Sequence, residues 1–413
     1  MEFGDVIPFL EKKNILVTGA TGFLAKIFVE KILRVQPNIQ KIYLLLRAAD
    51  GNSASQRFQN EIVGKDLFRV LKEKWGSNFN SFITDKIVLV PGDISLGEDL
   101  GVKEPRLRDE MWSELDVIVN LAATTNFDER YDTALSTNTF GAKHVVCFAK
   151  KCIRLQLLVH VSTAYVCGEK AGLIREAPCT FKDTPNGVSG LDIDEEKDIV
   201  QKKLNELKIE GATDKSILDA MKDMGIERWI PADMVVNAML VAMVAHANHQ
   251  QQSDQAIYHV GSSVRNPVNY GDLQEYGFDY FSMKPWIGKD GKPVLVGKVK
   301  VLDNMSSFHR YMVRYMLLLQ GLALANSALC HYFDGVYTDL KRKINFVFRL
   351  VELYRPYVFF RGVFDDMNTE RLRMAAKENG VETHLFYFDP ETINWRDYFL
   401  NVHIPGLIKY VCK

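Results

Sequence analysis

The residues whose chemistry reads most directly are glycines. Residues 13–26 run Lys-Asn-Ile-Leu-Val-Thr-Gly-Ala-Thr-Gly-Phe-Leu-Ala-Lys. Ile15 to Val17 form a short apolar strand, Thr18 to Gly22 a tight turn. Leu24, Phe28, Ile32 and Val35 then recur at helical spacing and stop before Pro37. A strand, a glycine turn and a helix start aim unpaired backbone N–H groups and the positive end of the helix dipole at one point, an arrangement suited to a pyrophosphate. Gly19 permits the turn, Gly22 lets the anion approach the backbone, and Ala25 lets helix and strand pack closely. The spacing is GxxGxxA rather than GxGxxG. Thr18, Gly19, Thr21, Gly22, Phe23 and Leu24 are the candidate cofactor-binding residues here; a purely structural turn is the alternative.

Other polar groups recur just after apolar runs. Arg47 follows Ile42–Leu46, where a guanidinium can pair with a 2′-phosphate and so favours NADPH over NADH. A solvated surface arginine is the competing reading, and nearby Asp50 leaves the choice open. Asp93, after Ile87–Val90, either accepts from an adenine amino group or makes an ordinary Gly-Asp turn. Ala122 and Thr124, in Ala-Ala-Thr-Thr-Asn after Val117–Leu121, leave room for a nicotinamide ribose. Residues 162–165, Ser-Thr-Ala-Tyr after Leu157–Val161, offer a hydroxyl that could polarise a substrate carbonyl.

The elements that position these groups alternate along residues 14–161. Five apolar strands are separated by helical patterns, including one over 136–150. That order predicts an α/β fold, a Rossmann-like doubly wound parallel sheet with helices on both faces. Ligands on such a sheet sit at the carboxyl ends of its strands, where every candidate above lies. The 413-residue length suggests two domains, and 47% hydrophobic with 25% charged residues is the profile of a globular protein. A net charge of -1 gives no pull toward nucleic acid. Six cysteines without a CxxC pair or a ligand-like grouping with histidine point to free thiols in a reducing compartment and to no metal site. The N-terminus reads as neither a signal nor a transit peptide, so a cytoplasmic protein is expected. Met312 to Cys330 is apolar but interrupted by Arg314, Gln320, Asn326 and Ser327, which suits a buried or membrane-surface helix better than a span.

Longer strings then carry a resemblance. Residues 18–25 (Thr-Gly-Ala-Thr-Gly-Phe-Leu-Ala), 122–131 (Ala-Ala-Thr-Thr-Asn-Phe-Asp-Glu-Arg-Tyr), 138–141 (Asn-Thr-Phe-Gly) and 160–169 (His-Val-Ser-Thr-Ala-Tyr-Val-Cys-Gly-Glu) resemble the plant fatty acyl-CoA reductases. So do 230–235, 260–263 and the tail, nearly end to end. These are extended short-chain dehydrogenases with a C-terminal domain shared with male-sterility proteins. The resemblance implies NADPH-dependent reduction of a long-chain fatty acyl-CoA through an aldehyde to the primary alcohol, in lipid biosynthesis of the wax or suberin type. It also implies that Gly19, Gly22 and Ala25 hold the pyrophosphate, Asp93 the adenine, that Thr163 contacts the carbonyl oxygen, and that Asn138 supports a proton relay. Domains are expected at 1–290 and 295–413, the second mostly helical. Its aromatics form a core, line an acyl channel or touch a bilayer, with peripheral contact at the endoplasmic reticulum as the open alternative to a freely cytoplasmic protein.

The same resemblance exposes a gap. The superfamily delivers its proton from a tyrosine whose pKa is lowered by a lysine four residues on. The family carries that pair beyond the fifth strand, and no matching stretch is present. Residues 225–229 (Gly-Ile-Glu-Arg-Trp) resemble the approach to it; 230–233 (Ile-Pro-Ala-Asp) resemble a segment well past it. An internal deletion near 229–230 is expected, truncating the sheet after its fifth strand. Tyr165 has its lysine, Lys170, five positions on. Tyr280–Lys284 and Tyr337–Lys341 have the right spacing, but with 16 tyrosines about one such match arises by chance. Residues 195–225 read as charged amphipathic helices with a solvated face, and 231–247 as a buried helix with Asp233 as its cap. His246 and His249 read as surface residues. The expectation is a reductase by family with impaired turnover. A silent NADPH-binding or partner-binding relative is the rival, and a sugar-nucleotide epimerase a poorer third because it needs the same missing pair.

Overall fold

The computed structural model describes residues 5–126, 129–167, 171–178, 193–209, 232–247, 255–288, 291–298, 302, 304–358, 360–381 and 384–411. Five strands, β1 (Asn14–Thr18), β2 (Lys41–Leu46), β3 (Ile87–Pro91), β4 (Val117–Asn120) and β5 (Leu157–His160), form one parallel sheet in the order β3-β2-β1-β4-β5. Every residue of β1 and β4 is buried. Both faces are covered, so an unbroken apolar run rather than an alternating one is what these strands need. Among the described residues the sheet ends at β5, which pairs only with β4.

Helix α1 (Phe23–Val35) covers one face through Phe28, Ile32 and Leu33. Helices α2 (Gly51–Arg57), α3 (Pro105–Glu114) and α4 (Gly141–Ala149) follow, and Met111, Val145 and Phe148 fill the other face against Leu16 and Ile118. The helix expected over 136–150 begins earlier, at Tyr131. Its residues Leu135–Phe140 form a wide π turn before α4 continues. Helix α5 spans Ile193–Ile209. Helix α6 (Ala232–Ala247) is apolar all round because it is enclosed, packing on α1, on β5 and on a late helix, α10 (Met367–Glu378). Asp233 lies exposed in its first turn.

The chain forms two compact, interleaved units. The first comprises Met1–Gly168, Arg175–Val260 and Asp366–Phe388; the second Glu169–Ile174, Gly261–Asp365 and Asp389–Lys413. Residues 366–388 thus return to the first unit, where Leu372, Ala376, Phe386 and Phe388 join the core under α1 and α6. Glu176 pins that return. Its buried carboxylate accepts from the backbone N–H groups of His259 (2.6 Å), Asn368 and Thr369 (3.3 Å), and from the Thr369 hydroxyl (2.9 Å). It thereby caps α10, which lacks a side-chain cap of its own.

The second unit contains α7 (Tyr270–Met283), α8 (Met305–Ala328), α9 (Asp334–Val358), α11 (Ile404–Tyr410) and a two-stranded parallel sheet, β6 (Gly172–Ile174) with β7 (Gly362–Phe364). It is mostly helical. Helices α8 and α9 pack through Phe308, Met312, Ile344 and Phe348. None of the described helices is long and apolar enough to cross a membrane.

Candidate active site

The carboxyl ends of β1, β4 and β5 carry a row of bonded side chains. The register sets Thr18 beside Asn120 and Asn120 beside His160. Thr18 Oγ1 donates to Asn120 Oδ1 (2.5 Å) and accepts from the N–H groups of Leu121 and Ala122 (3.1 Å each). With its oxygen so occupied, Asn120 donates from Nδ2 to His160 Nδ1 (2.9 Å). An amide nitrogen only donates, so Nδ1 accepts and the imidazole is neutral. Burial of the ring lowers its pKa in the same sense, although its outer edge reaches solvent. The Thr18 side chain is fully buried. Its hydroxyl locks β1 to the loop after β4.

The glycine turn rests on that lock. Gly19 has φ +64, and a Cβ there would stand 2.7 Å from the Leu121 carbonyl oxygen and 2.8 Å from Ala122 Cα. Backbone conformation and space both demand glycine. The Gly22 N–H closes the turn on the Gly19 carbonyl (2.8 Å). Gly22 is the N-cap of α1 and supplies no side-chain acceptor, so no cap satisfies the first N–H groups of the helix. Ala25 is buried against the sheet, Thr21 and Leu24 are half-buried, and the Phe23 ring is 69% exposed. The first N–H groups of α1 are thus left for an anion such as a pyrophosphate.

Arg47 is exposed immediately after β2. Asp50, which left its reading open, accepts from Ser53 N–H (2.8 Å) and Ser53 Oγ (2.7 Å) as the cap of α2; these bonds hold its carboxyl below the usual range. Arg57 was not singled out by sequence. It donates to the Arg47 carbonyl (2.8 Å) while clasping Glu61 at 2.6 and 2.9 Å. The Arg-x-x-x-Glu spacing in the helix after β2 was the available signal. Lys26, in the first turns of α1, has its pKa lowered by burial and then by the nearby Lys65 ammonium. The flank beyond β2 therefore carries several cations.

Asp93 shapes a turn, Oδ1 accepting from the N–H and hydroxyl of Ser95 (2.9 Å each) and capping a short 3-10 turn. Asn138 sits in the π turn and clamps the loop after β4, accepting from Thr124 N–H (2.8 Å) and donating to the Thr124 carbonyl (3.2 Å). Such turns recur at functional sites. Ala122 is half-buried against Gly19. Thr163 is half-buried beyond β5; its Oγ1 accepts from Tyr165 N–H (3.3 Å), which leaves its proton for a carbonyl oxygen.

No Tyr-x-x-x-Lys spacing occurs in the segments of this first unit. Both instances belong to the second unit, where the lysine lies over the tyrosine ring of its own helix, at 5.5 Å for Lys284 on Tyr280 and 5.7 Å for Lys341 on Tyr337. These are cation–π pairs one helical turn apart. Lys170 and the join at 229–230 lie outside the described residues.

Comparison with known proteins assigns the chain. A family model described as male sterility protein matches residues 17–217, and a second of the same description matches 310–413. The alcohol-forming fatty acyl-CoA reductase of Simmondsia chinensis is 48% identical over 491 positions, covering 99% of both chains. This chain belongs to the fatty acyl-CoA reductase family. Fatty acyl-CoA reductase 1 of Arabidopsis thaliana is 44% identical over 492 positions, again 99% of each chain. The Simmondsia alignment exceeds the 413 residues of this reductase homologue by 78 positions, so at least that many have no counterpart here. A crystal structure of the reductase domain of a Mycobacterium tuberculosis nonribosomal peptide synthetase superposes with a TM-score of 0.50 at 18% identity, over 98% of this chain and 94% of that one; it shares the fold.

Proposed function

We propose that this chain binds NADPH at the Gly19–Gly22 turn and descends from reductases that convert long-chain fatty acyl-CoA to primary alcohol, with turnover crippled in this form. The observation that carries the reading is a family match spanning 99% of the chain together with a first unit that has the glycine turn but no Tyr-x-x-x-Lys. Arg47, Lys26 and Lys65 support the 2′-phosphated cofactor, since Asp50 is spent on α2. Thr21, Gly22, Phe23 and Leu24 would border the pyrophosphate, Asp93 the adenine, and Ala122, Thr124 and Asn138 the nicotinamide ribose.

When bound, the cofactor supplies hydride to an acyl carbonyl. The chain's own part is to orient and polarise. Thr163 donates to the carbonyl oxygen, and the Asn138 clamp and the Thr18–Asn120–His160 row fix the loops that border it. Among the described residues of the first unit no Tyr-x-x-x-Lys pair is positioned to protonate the developing alkoxide, a loss of about a hundredfold or more in rate. The rival reading, a silent NADPH-binding partner of another protein, predicts the same binding with no alcohol.

Residues 1–290 are read as the reductase domain and 295–413 as the C-terminal domain, which lends residues 366–388 to the first unit. A cytoplasmic location with peripheral contact at the endoplasmic reticulum is supported by α8 and α9, which expose Leu317, Leu318, Leu324 and Phe346 beside Arg310, Arg314 and Arg342. The test is purified protein with NADPH and palmitoyl- or stearoyl-CoA. Cofactor binding with alcohol formation at least about a hundredfold below an intact relative is expected. Turnover at the relative's rate sinks the crippled reading, and absence of NADPH binding sinks both readings.

A further inference from the structure

The hydrogen bonds that run from Thr18 through Asn120 to His160 have one direction, and the backbone sets it. The N–H groups of Leu121 and Ala122 can only donate, and both donate to Thr18 Oγ1 (3.1 Å each). With its lone pairs filled, the hydroxyl must send its own proton to whichever atom of Asn120 faces it. That atom is Oδ1 (2.5 Å); a nitrogen there would oppose donor to donor. The amide is therefore fixed in one orientation, and its Nδ2 stands against His160 Nδ1 (2.9 Å). The ring accepts at Nδ1 and carries its proton on Nε2, a tautomer dictated from two side chains away.

Burial makes the far end of this row matter to the near one. Asn120 is 1% exposed and Thr18 is fully buried, so a bond lost inside the row is not replaced by one to water. His160, in contrast, is exposed at the end of β5, and a proton can reach it. An imidazolium has N–H on both nitrogens and cannot accept from Asn120. Reversing the amide to meet it would take the acceptor away from Thr18. Thr18 in turn holds Leu121 and Ala122, the residues whose backbone seats Gly19. Burial, and no neighbouring charge among the described residues, lowers the pKa of the ring. The elements packed on β5 are β4, α4 and α6. Strand β4 has no titratable side chain, and those of the two helices are engaged elsewhere. Lys143 pairs with Asp194 (3.4 Å), His144 Nδ1 bonds the Ile94 carbonyl (2.7 Å), Cys147 bonds Glu98, Asp233 acts on Lys31, and His246 bonds the Tyr258 hydroxyl (2.7 Å).

We propose that His160 is a positioning residue for the nucleotide turn: its neutral ring, acting through Asn120 and Thr18, holds the Leu121–Ala122 loop that seats Gly19, and a proton on the ring weakens NADPH binding. The nucleotide itself rests on the reading given above. The experiment titrates the natural chain and two variants with NADPH at about pH 7.5 and about pH 5, either side of the ordinary histidine range. The 2′-phosphate also titrates near pH 6, so each variant is compared with the natural chain at the same pH, where that contribution cancels. His160→Gln keeps an acceptor for Asn120 at every pH. It should match the natural chain at the higher pH and bind about fivefold more tightly than it at the lower. His160→Ala has no acceptor. It should bind about fivefold more weakly at the higher pH and converge with the natural chain at the lower. A merely structural role would lower the melting temperature of the variants and leave these ratios independent of pH. A pH-independent ratio for His160→Gln, or an alanine variant as tight as the natural chain at the higher pH, overturns the proposal. The glutamine comparison decides alone if the alanine variant does not fold. Amide exchange of Leu121 and Ala122, measured without nucleotide on the same proteins, should follow the same pattern. Exchange that does so without any NADPH binding removes the nucleotide reading while the hold of His160 on the loop stands. Binding with flat ratios removes that hold and leaves the nucleotide reading intact.

Discussion

The centre of the five-stranded sheet and its β5 edge hold their strand ends differently. At the central β1–β4 pair every strand residue is buried, and Gly19 is fixed by conformation, by contact with Leu121 and Ala122, and by the buried Thr18 hydroxyl beneath it. At the β5 flank the three apolar strand residues are half-buried and His160 is exposed. One ladder, to β4, holds the strand that leads to Thr163. The Gly19 turn is thus determined several times over, while β5, among the described residues, pairs with one strand and otherwise leans on α4 and α6. On the reading proposed above, the cofactor cradle and the catalytic corner depend on different parts of the sheet, so one can be lost without the other.

The most damaging way to attack this contrast is at its rigid side. Gly19→Val should lower NADPH affinity about a hundredfold, through overpacking against Leu121 and strain at positive φ, as read by cofactor titration. An unchanged affinity would show that the turn is not the site. Thr18→Val removes a hydroxyl with three partners and should cost about 3 kcal/mol in urea unfolding. The sharpest internal test pairs two register neighbours, Val119 and Val159. Val119→Ala should cost about 2 kcal/mol and Val159→Ala under about 1 kcal/mol, since only the first leaves a closed cavity; equal costs would erase the contrast between the sheet centre and its β5 edge. Arg47→Ala should cut preference for NADPH over NADH about tenfold without moving the melting temperature. The smallest effect belongs to His160. Its folded pKa lies below the ordinary 6.5, so the unfolded chain takes up the proton first. Stability should fall as pH drops through 6.5, with His160→Gln reducing that slope and His403, lowered in the same sense, keeping part of it.

The sheet was legible in the sequence because its strands are continuous apolar runs ended by polar or glycine punctuation; Ile15–Val17 became Asn14–Thr18, and Ile42–Leu46 gained one residue. The glycine turn was legible for the same local reason. Less legible was which hydroxyls and amides face inward. Thr18 was counted among the cofactor contacts, but its burial follows from the register with Asn120. The bond of the Asn138 amide to the Thr124 backbone is likewise set by the π turn and not by its sequence neighbours. His246 looked like a surface residue, yet Nε2 bonds the Tyr258 hydroxyl at 2.7 Å; His249 lies outside the described residues. Glu176 gave no local hint, because its partners lie 83 to 193 residues away.

The loop-back of residues 366–388 has a consequence for how the molecule is made. During synthesis the sheet emerges from the ribosome first, but Leu372, Ala376 and Phe386, which seal the surface beneath α1 and α6, follow only when the chain is nearly finished. Until then that surface is sticky and is a substrate for chaperones. A recombinant fragment ending at residue 290 would keep the nascent chain's defect permanently, and its insolubility would say nothing about whether the full-length polypeptide matures.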